Sequence, residues 1–326
     1  MGVAKGPGAV WRSKRGIFFT LMSVILVTLM ILSISVIPKP RFSSDAERVA
    51  LRVETMNDFV IDLDEDLERA AYIISYATLL RIDGAVVENG SYVHDLPRAF
   101  SAAFINGTLD SSDAGISLTL NDSFQDYTRR IAEQATSLGI QSSVTIEKVD
   151  ISQQDPWSVS VRVSMTLNVT DQEGTARWIQ QKNISSIISI IGFEDPVYHL
   201  KSLGRVTKTI AKSPLETYVT GGVTDDLKRF INASWYRNST SAPTFLMRLS
   251  GNFSANPEGI ESMVYLQEFI QQGLSIQERS DIDHLYFSNI THTAQKVTNV
   301  TDTPGWEWFR LDNDTAVRYG ADQLLQ

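Results

Sequence analysis

The chain contains no cysteine in 326 residues. Disulfide staples, thiolate metal sites and cysteine nucleophiles are therefore excluded at the outset. Histidine is scarce too, with four copies at His94, His199, His284 and His292, which leaves imidazole catalysis and metal ligation little to draw on. No glycine-rich phosphate loop, dinucleotide fingerprint, serine nucleophile elbow or paired-histidine zinc helix is present. Nor is there a basic excess. The formal net charge is −9, and setting aside the +4 of the first sixteen residues leaves −13 on residues 38–326. That balance opposes nucleic acid and anionic lipid headgroups as partners.

Long apolar runs are missing with one exception. Residues 17–37 read IFFTLMSVILVTLMILSISVI, with no charge, glycine or proline before Pro38. A helix of that length reaches about 30 Å, the thickness of a bilayer's hydrocarbon core. Thr20, Ser23, Thr28, Ser33 and Ser35 can bond back to their own helix's carbonyls, so they do not forbid insertion. Lys5, Arg12, Lys14 and Arg15 precede the run without any acidic residue, which predicts a cytoplasmic amino terminus and everything after Pro38 on the exterior. A cleaved secretory signal is the competing reading, but its apolar core would be unusually long and Ser33-Ile34-Ser35 is a poor cleavage site.

Asparagine is also uncommon, yet eleven of the thirteen copies open an Asn-X-Ser/Thr acceptor sequon for N-glycosylation: Asn89, Asn106, Asn121, Asn168, Asn183, Asn232, Asn238, Asn252, Asn289, Asn299 and Asn313. Chance placement at this chain's hydroxyl content would give roughly two, so the enrichment is compositional rather than a single motif match. All eleven follow the apolar run, on the side where glycans are added. Their expected effect is bulk, hydration and shielding from proteolysis.

Beyond Pro38-Lys39-Pro40 the spacing predicts a long amphipathic helix, capped by Ser43 or Ser44, carrying Val49, Val53, Met56, Val60, Leu63, Leu67, Ala70, Ile74 and Ala77 on one face and ended by Gly84 and then Glu88-Asn89-Gly90. Shorter helices are expected over 96–105 and 124–137, the second with a capping-box spacing of Ser123 and Asp126. From Trp157 to Val169 apolar and polar residues alternate strictly, the pattern of a half-buried antiparallel strand with Asn168 on its polar face. Strands over 144–151 and 175–191 complete a three-stranded meander. Thr224 or Asp225 caps a helix with Leu227, Phe230, Ile231 and Trp235. Phe245-Met247-Leu249, 283–287 and 306–311 read as strands, while 260–273 is ambiguous.

Several clusters bring chemistry-bearing residues close in sequence. Asp62, Asp64 and Asp66 imitate the start of a calcium loop, but Leu67 stands where Gly is needed and Ile73 where a bidentate Glu belongs, so helix-surface charges are expected. Asp281, Asp283, His284 and His292 are the nearest approach to a metal cluster, against which solvent-facing or strand-end histidines are the simpler expectation. Glu194-Asp195-Pro196 reads first as a turn and only second as an acid-base site. Trp306 and Trp308 share a face and can stack on a sugar, though a core pair is the simpler reading. No catalytic residue, cofactor site or metal site is assigned.

Lys14-Arg15-Gly16-Ile17-Phe18-Phe19, a basic pair and Gly before an unbroken apolar helix, resembles the amino terminus of archaeal type IV pilin-like proteins. The resemblance implies peptidase cleavage between Gly16 and Ile17, packing of the apolar helix in a filament core, and a helical extension leading to a β-rich head. It covers about 65 residues, mainly 14–81, and position 21 holds Leu where that family usually carries Glu. The remainder, including Gly192-Phe193-Glu194-Asp195-Pro196 and Thr244-Phe245-Leu246-Met247-Arg248-Leu249, is similar to archaeal membrane-anchored surface proteins, and dense sequons without thiols fit that setting.

The expected organisation is an α+β chain: a basic cytoplasmic flank (1–16), a transmembrane helix (17–37), an amphipathic helical stalk (38–84), helices with an antiparallel β-meander (85–200), and a second α+β portion (201–326) belonging to the same exterior domain or a separate one. The expected function is a single-pass, N-glycosylated, non-catalytic surface protein serving envelope structure, adhesion or partner binding. Its partners would be membrane lipid and either further copies of itself or other envelope proteins. The alternatives are a pilin-like filament subunit and a sensory or ligand-binding ectodomain acting through a membrane partner.

Overall fold

The computed structural model describes residues 14–35, 42–109, 118–120, 122–174, 176–288 and 293–326, with side chains described over 21–32 and from 46 onward. Lys5, Arg12, the Pro38–Pro40 break, Asn121, Thr175, Asn289 and His292 lie outside the described residues, as do the side chains of Lys14, Arg15, Ile17, Ser43 and Ser44. The fold is mixed helix and antiparallel sheet, and the chain divides into two compact units, Met1–Asn57 and Asp58–Gln326.

In the first unit, the apolar run forms helix α1 (Lys14–Ser35), which takes in Gly16 and Ile17. Its side chains from Leu21 to Leu32 are all exposed, and the Thr28 hydroxyl donates to the Val24 carbonyl at 2.6 Å. This unit also holds the first turns of helix α2 (Phe42–Asn89), 48 residues long. Among the described residues, the helix long and apolar enough to cross a membrane is Ala46–Asn89, while the amino-terminal stretch Leu21–Leu32 counts as a shorter apolar helix. The expectation had placed that property on residues 17–37. Composition alone does not separate the two cases, because 56% of the apolar window in α2 is buried, as in the core helix of a folded body.

In the second unit, α2 buries Val60, Leu63, Leu67, Ala70, Ala71, Ile74, Leu79, Ile82 and Val86 along one stripe. It continues through Gly84, where the sequence suggested a first stop, because Ile82, Ala85 and Val86 are held in the core on either side. The helix ends where Gly90 takes φ +66° and its N–H bonds to the Val86 carbonyl. Helix α3 (Leu96–Asn106) is capped by Asp95 and ended by Gly107 at φ 73°. Strands β1 (Thr108–Leu109) and β2 (Leu118–Thr119) pair briefly, and helix α4 (Phe124–Ser137) opens on the reciprocal Ser123–Asp126 capping box. Phe104 stacks on both Phe100 and Phe124, joining α3 to α4.

The meander forms as β3 (Ile140–Asp155), β4 (Ser158–Asp171) and β5 (Arg177–Ser189), in that spatial order and antiparallel throughout, with β3 extending well beyond the expected 144–151 and β5 falling short of the expected 175–191. The inward residues Val159, Val161, Val163, Met165, Leu167 and Val169 are buried. Lys182, inward on β5, reaches the Asp64 carboxylate at 3.0 Å and Glu68 at 3.4 Å, which places α2 against that face.

After the meander come helices α5 (Pro196–Lys201) and α6 (Asp225–Asn232), strand β6 (Tyr236–Asn238), helix α7 (Phe245–Leu249), strand β7 (Ile260–Ser262), helices α8 (Leu266–Gln271) and α9 (Asp283–Phe287), strands β8 (Gln295–Lys296) and β9 (Arg310–Leu311), and helix α10 (Asn313–Tyr319). Three expected strands are corrected here. Residues 245–249 form a helical turn because Thr244 caps the Met247 N–H and lets Phe245, Arg248 and Leu249 face inward together. Residues 283–287 are helical because Asp283, His284, Tyr286 and Phe287 are all buried, which a two-residue alternation cannot achieve. Of 306–311 only Arg310–Leu311 is strand, and the tryptophans lie in the turns before it.

Candidate functional site

The densest polar assembly is a buried ion network. Arg248, on α7 and fully enclosed, donates from Nη1 to Asp195 Oδ2 at 2.7 Å and from Nη2 pairs with Asp283 Oδ2 at 3.0 Å and with the Ile260 carbonyl. Asp195 is the N-cap of α5 and also accepts from the Val197 N–H at 3.0 Å and the Tyr236 hydroxyl at 2.8 Å. Asp283 accepts from the Ser262 N–H at 3.0 Å, the Ser262 hydroxyl at 2.8 Å and the His284 N–H at 2.6 Å. Lys208 donates to the Met263 carbonyl at 2.6 Å and the Tyr198 hydroxyl at 3.2 Å, and its ammonium lies 4.5 Å from the Tyr198 ring centroid.

Burial works against every charge in this network, and the pairing decides which survive. Burial pushes Asp283 up, but Arg248 and the Ser262 and His284 donors outweigh it and hold the carboxyl well below its usual range. Burial raises Asp195, with Arg248 opposing, so Asp195 takes a proton before Asp283 as pH falls. Burial lowers Lys208 to about 8, against the attraction of Asp283 and Asp195. None of three recesses of about 360–470 Å³ is lined by Asp195, Lys208, Arg248 or Asp283. The network ties β6, β7, α5, α7 and α9 together in the interior and presents no charge to a ligand in those recesses.

The other singled-out residues are dispersed. Asp62, Asp64 and Asp66 lie on α2, where two-residue spacing splays them, and Asp64 and Asp66 pair with Lys182 and Arg69. Glu194 pairs with His199 at 3.1 Å. Asp281 is buried, which pushes its carboxyl well above the usual range against the opposing Arg310, and its Oδ2 accepts from the Arg310 N–H at 2.7 Å. His284 is buried beside Asp283 rather than solvent-facing. Among the described residues no three acidic or histidine side chains converge to hold a metal ion. Trp306 and Trp308 stack on each other at 5.4 Å and are 8% exposed each, so they serve as a core pair with Tyr265 against both. Sequence reasoning missed Arg248. Its signal was a lone cation inside the apolar run Phe245-Leu246-Met247-Arg248-Leu249.

The glycan acceptors, in contrast, share a surface property. Of nine described sequon asparagines, eight are exposed and Asn168 is half-buried, with Arg177 Nε donating to its Oδ1 at 3.0 Å. Asn89, Asn106, Asn232 and Asn238 are the last residues of α2, α3, α6 and β6, and Asn313 is the first of α10. An element's end is where a bulky substituent leaves the fewest neighbours to displace. Asn183 lies mid-strand on β5, opposite Ser164, whose hydroxyl donates to its Oδ1 at 2.6 Å.

No family model, curated protein or solved structure matches the chain.

Proposed function

We propose that this chain is a single-pass membrane protein whose unit Asp58–Gln326 stands outside the cell as a glycosylated, non-catalytic body serving envelope structure, adhesion or partner binding. The observation that carries the reading is the exposure of eight of nine described sequon asparagines, in a chain whose residues 21–32 are uncharged, apolar apart from Ser23 and Thr28, and all exposed. Exposed amides at loop and element ends suit transfer of a sugar from a phosphate-linked carrier: the Asn Nδ2 bonds to the anomeric carbon, the carrier phosphate leaves with the electron pair, and the amide gives up one proton. An uncharged surface of leucine, isoleucine, valine and methionine on α1 suits lipid on every side. The buried charges Asp195, Arg248 and Asp283 are paired with one another in the interior, which supports a structural role over a catalytic one for them.

The test is expression in the native host, followed by membrane fractionation and glycopeptide mass spectrometry. The expected result is a membrane-bound protein carrying sugars at several of the eleven positions and cleaved by added protease only from the outer side. A protein recovered from the cytosol with every acceptor bare would overturn the proposal.

The exposed apolar surface of α1 also suits the core of a helical filament, which keeps the pilin-like reading as the second proposal. Amino-terminal sequencing separates the two. A start at Ile17 favours the filament subunit, and a start at Met1 or Gly2 removes it.

A further inference from the structure

Among the described residues, the three-stranded sheet has two open edges: nothing pairs with the outer side of β3 or of β5. An open edge is a template for another strand, and folds blunt it with bulges, charges or a covering. β3 is blunted by its own sequence: its register shifts around Glu147 and again between Ser152 and Asp155, and Glu147, Lys148, Asp150 and Asp155 place charges along it. β5 has no such break. Thirteen consecutive residues, Arg177 to Ser189, pair with β4 without a shift. From Asn183 to Ile191 the sequence NISSIISII carries no charge, proline or glycine, the composition of a self-pairing segment. Trp178, Ile179 and Ile187 are exposed along β5, Ile187 by 67%, as is Ile191 just past its end.

Two adjacent residues of this strand stand out, one on each face of the sheet. Lys182 points inward and is 14% exposed at its side chain, ion-paired to Asp64 and Glu68, a buried charge that a second copy's strand would have to accommodate. Asn183 points outward, exposed, at the seventh of the thirteen positions. The Ser164 hydroxyl holds its Oδ1, and its Nδ2 makes no hydrogen bond among the described residues. That differs from Asn89 and Asn299, whose Nδ2 groups donate to the Ala85 and Gly222 carbonyls.

We propose that the glycan on Asn183 is the guard of the open β5 edge, and that without it β5 pairs antiparallel with β5 of a second copy of this chain. The proposal rests on the glycosylated-surface reading above. It adds that this one sugar chain, mid-strand on β5, controls self-association through a sheet edge.

The experiment uses the full chain in detergent, made in its native host, with glycopeptide mass spectrometry on every sample and sedimentation equilibrium as the readout. Ser185→Ala removes the sequon while leaving Asn183 and its bond to Ser164 in place. Ser254→Ala removes the sequon of Asn252, which lies in a loop outside any sheet, and controls for loss of a sugar as such. The expected result is a dimer Kd at least ten-fold lower for S185A than for wild type, no change for S254A, and a return to the wild-type value in S185A/I187K, where a lysine is set on the edge. An S185A protein shown to lack the sugar yet self-associating no more than wild type overturns the guard proposal and leaves the surface reading intact. A wild-type Asn183 found bare, in a protein sugared elsewhere, also overturns the guard alone, whereas all acceptors bare overturns both. Should S185A fail to fold in the native host, unglycosylated wild type and I187K from a host without N-glycosylation provide the same comparison: wild type is expected to dimerise and I187K to stay monomeric, and equal behaviour of the two sinks the idea.

Discussion

At the scale of the residue, the informative side chains are those whose charge the fold has to manage. Arg248 faces two carboxylates, and removing one partner of such a buried set typically costs about 3–5 kcal/mol because a bare charge remains. Lys208 is less well compensated, and its lowered value of about 8 makes a pH prediction with a definite sign. Between pH 8 and 10.5 the unfolded chain binds a proton at this lysine that the folded chain does not, so stability rises with pH through that window. Below about 8 both states are protonated and the full cost of burying the ammonium is present. Lys208→Met removes the titration, so the stability of wild type relative to the variant should improve by about 2 kcal/mol between pH 7 and 9.5 in urea unfolding. A difference that stays flat over that range counts against a buried, depressed ammonium. The sequence held no trace of this group as special, because Lys208 sits among the polar residues Thr207 and Thr209 and nothing local says that Tyr198 and Met263 close over it.

At the scale of the element, local rules that depend on neighbours in sequence succeeded. The alternation from Trp157 to Val169 became β4, and the Ser123–Asp126 spacing became a reciprocal capping box. Ser123 accepts from the Asp126 N–H at 3.0 Å, and Asp126 Oδ2 accepts from the Ser123 hydroxyl at 2.8 Å. Ser123→Ala is accordingly expected to lower stability by about 1 kcal/mol, with Ser123→Thr close to wild type, as measured by thermal unfolding. Both variants should be made in a host without N-glycosylation, since Ser123 also completes the Asn121 sequon. Short elements were the failures. Residues 245–249 and 283–287 are five-residue helices, too brief for a 3.6-residue period to separate from a two-residue one, and their burial is set by partners far along the chain. Gly84 misled in the same way, since a helix-weakening glycine is tolerated where the residues around it are packed.

At the scale of the whole molecule, the two units call for different surroundings. Unit Asp58–Gln326 has a continuous core from α2 through the sheet to the Arg248 network, whereas residues 21–32 of the first unit expose every side chain. A fragment starting at residue 42 is therefore expected to be soluble without detergent and to unfold in one cooperative transition, while the full chain requires detergent. A fragment that precipitates or melts without a transition would show that the first 41 residues contribute to the core. What the amino-acid order determined by itself was whatever rests on near neighbours or on composition: the apolar run, the acidic balance, the sequons, the capping box and the long alternating strand, each a matter of a period or a count. What only the tertiary structure decided was which side chains meet: the union of Asp195, Arg248 and Asp283 across 88 positions, the burial of Trp306, Trp308 and His284, and the open, unbroken edge of β5. Those depend on contacts between distant segments, and desolvation, which sets the charge state of a buried group, exists only once the chain has closed around it.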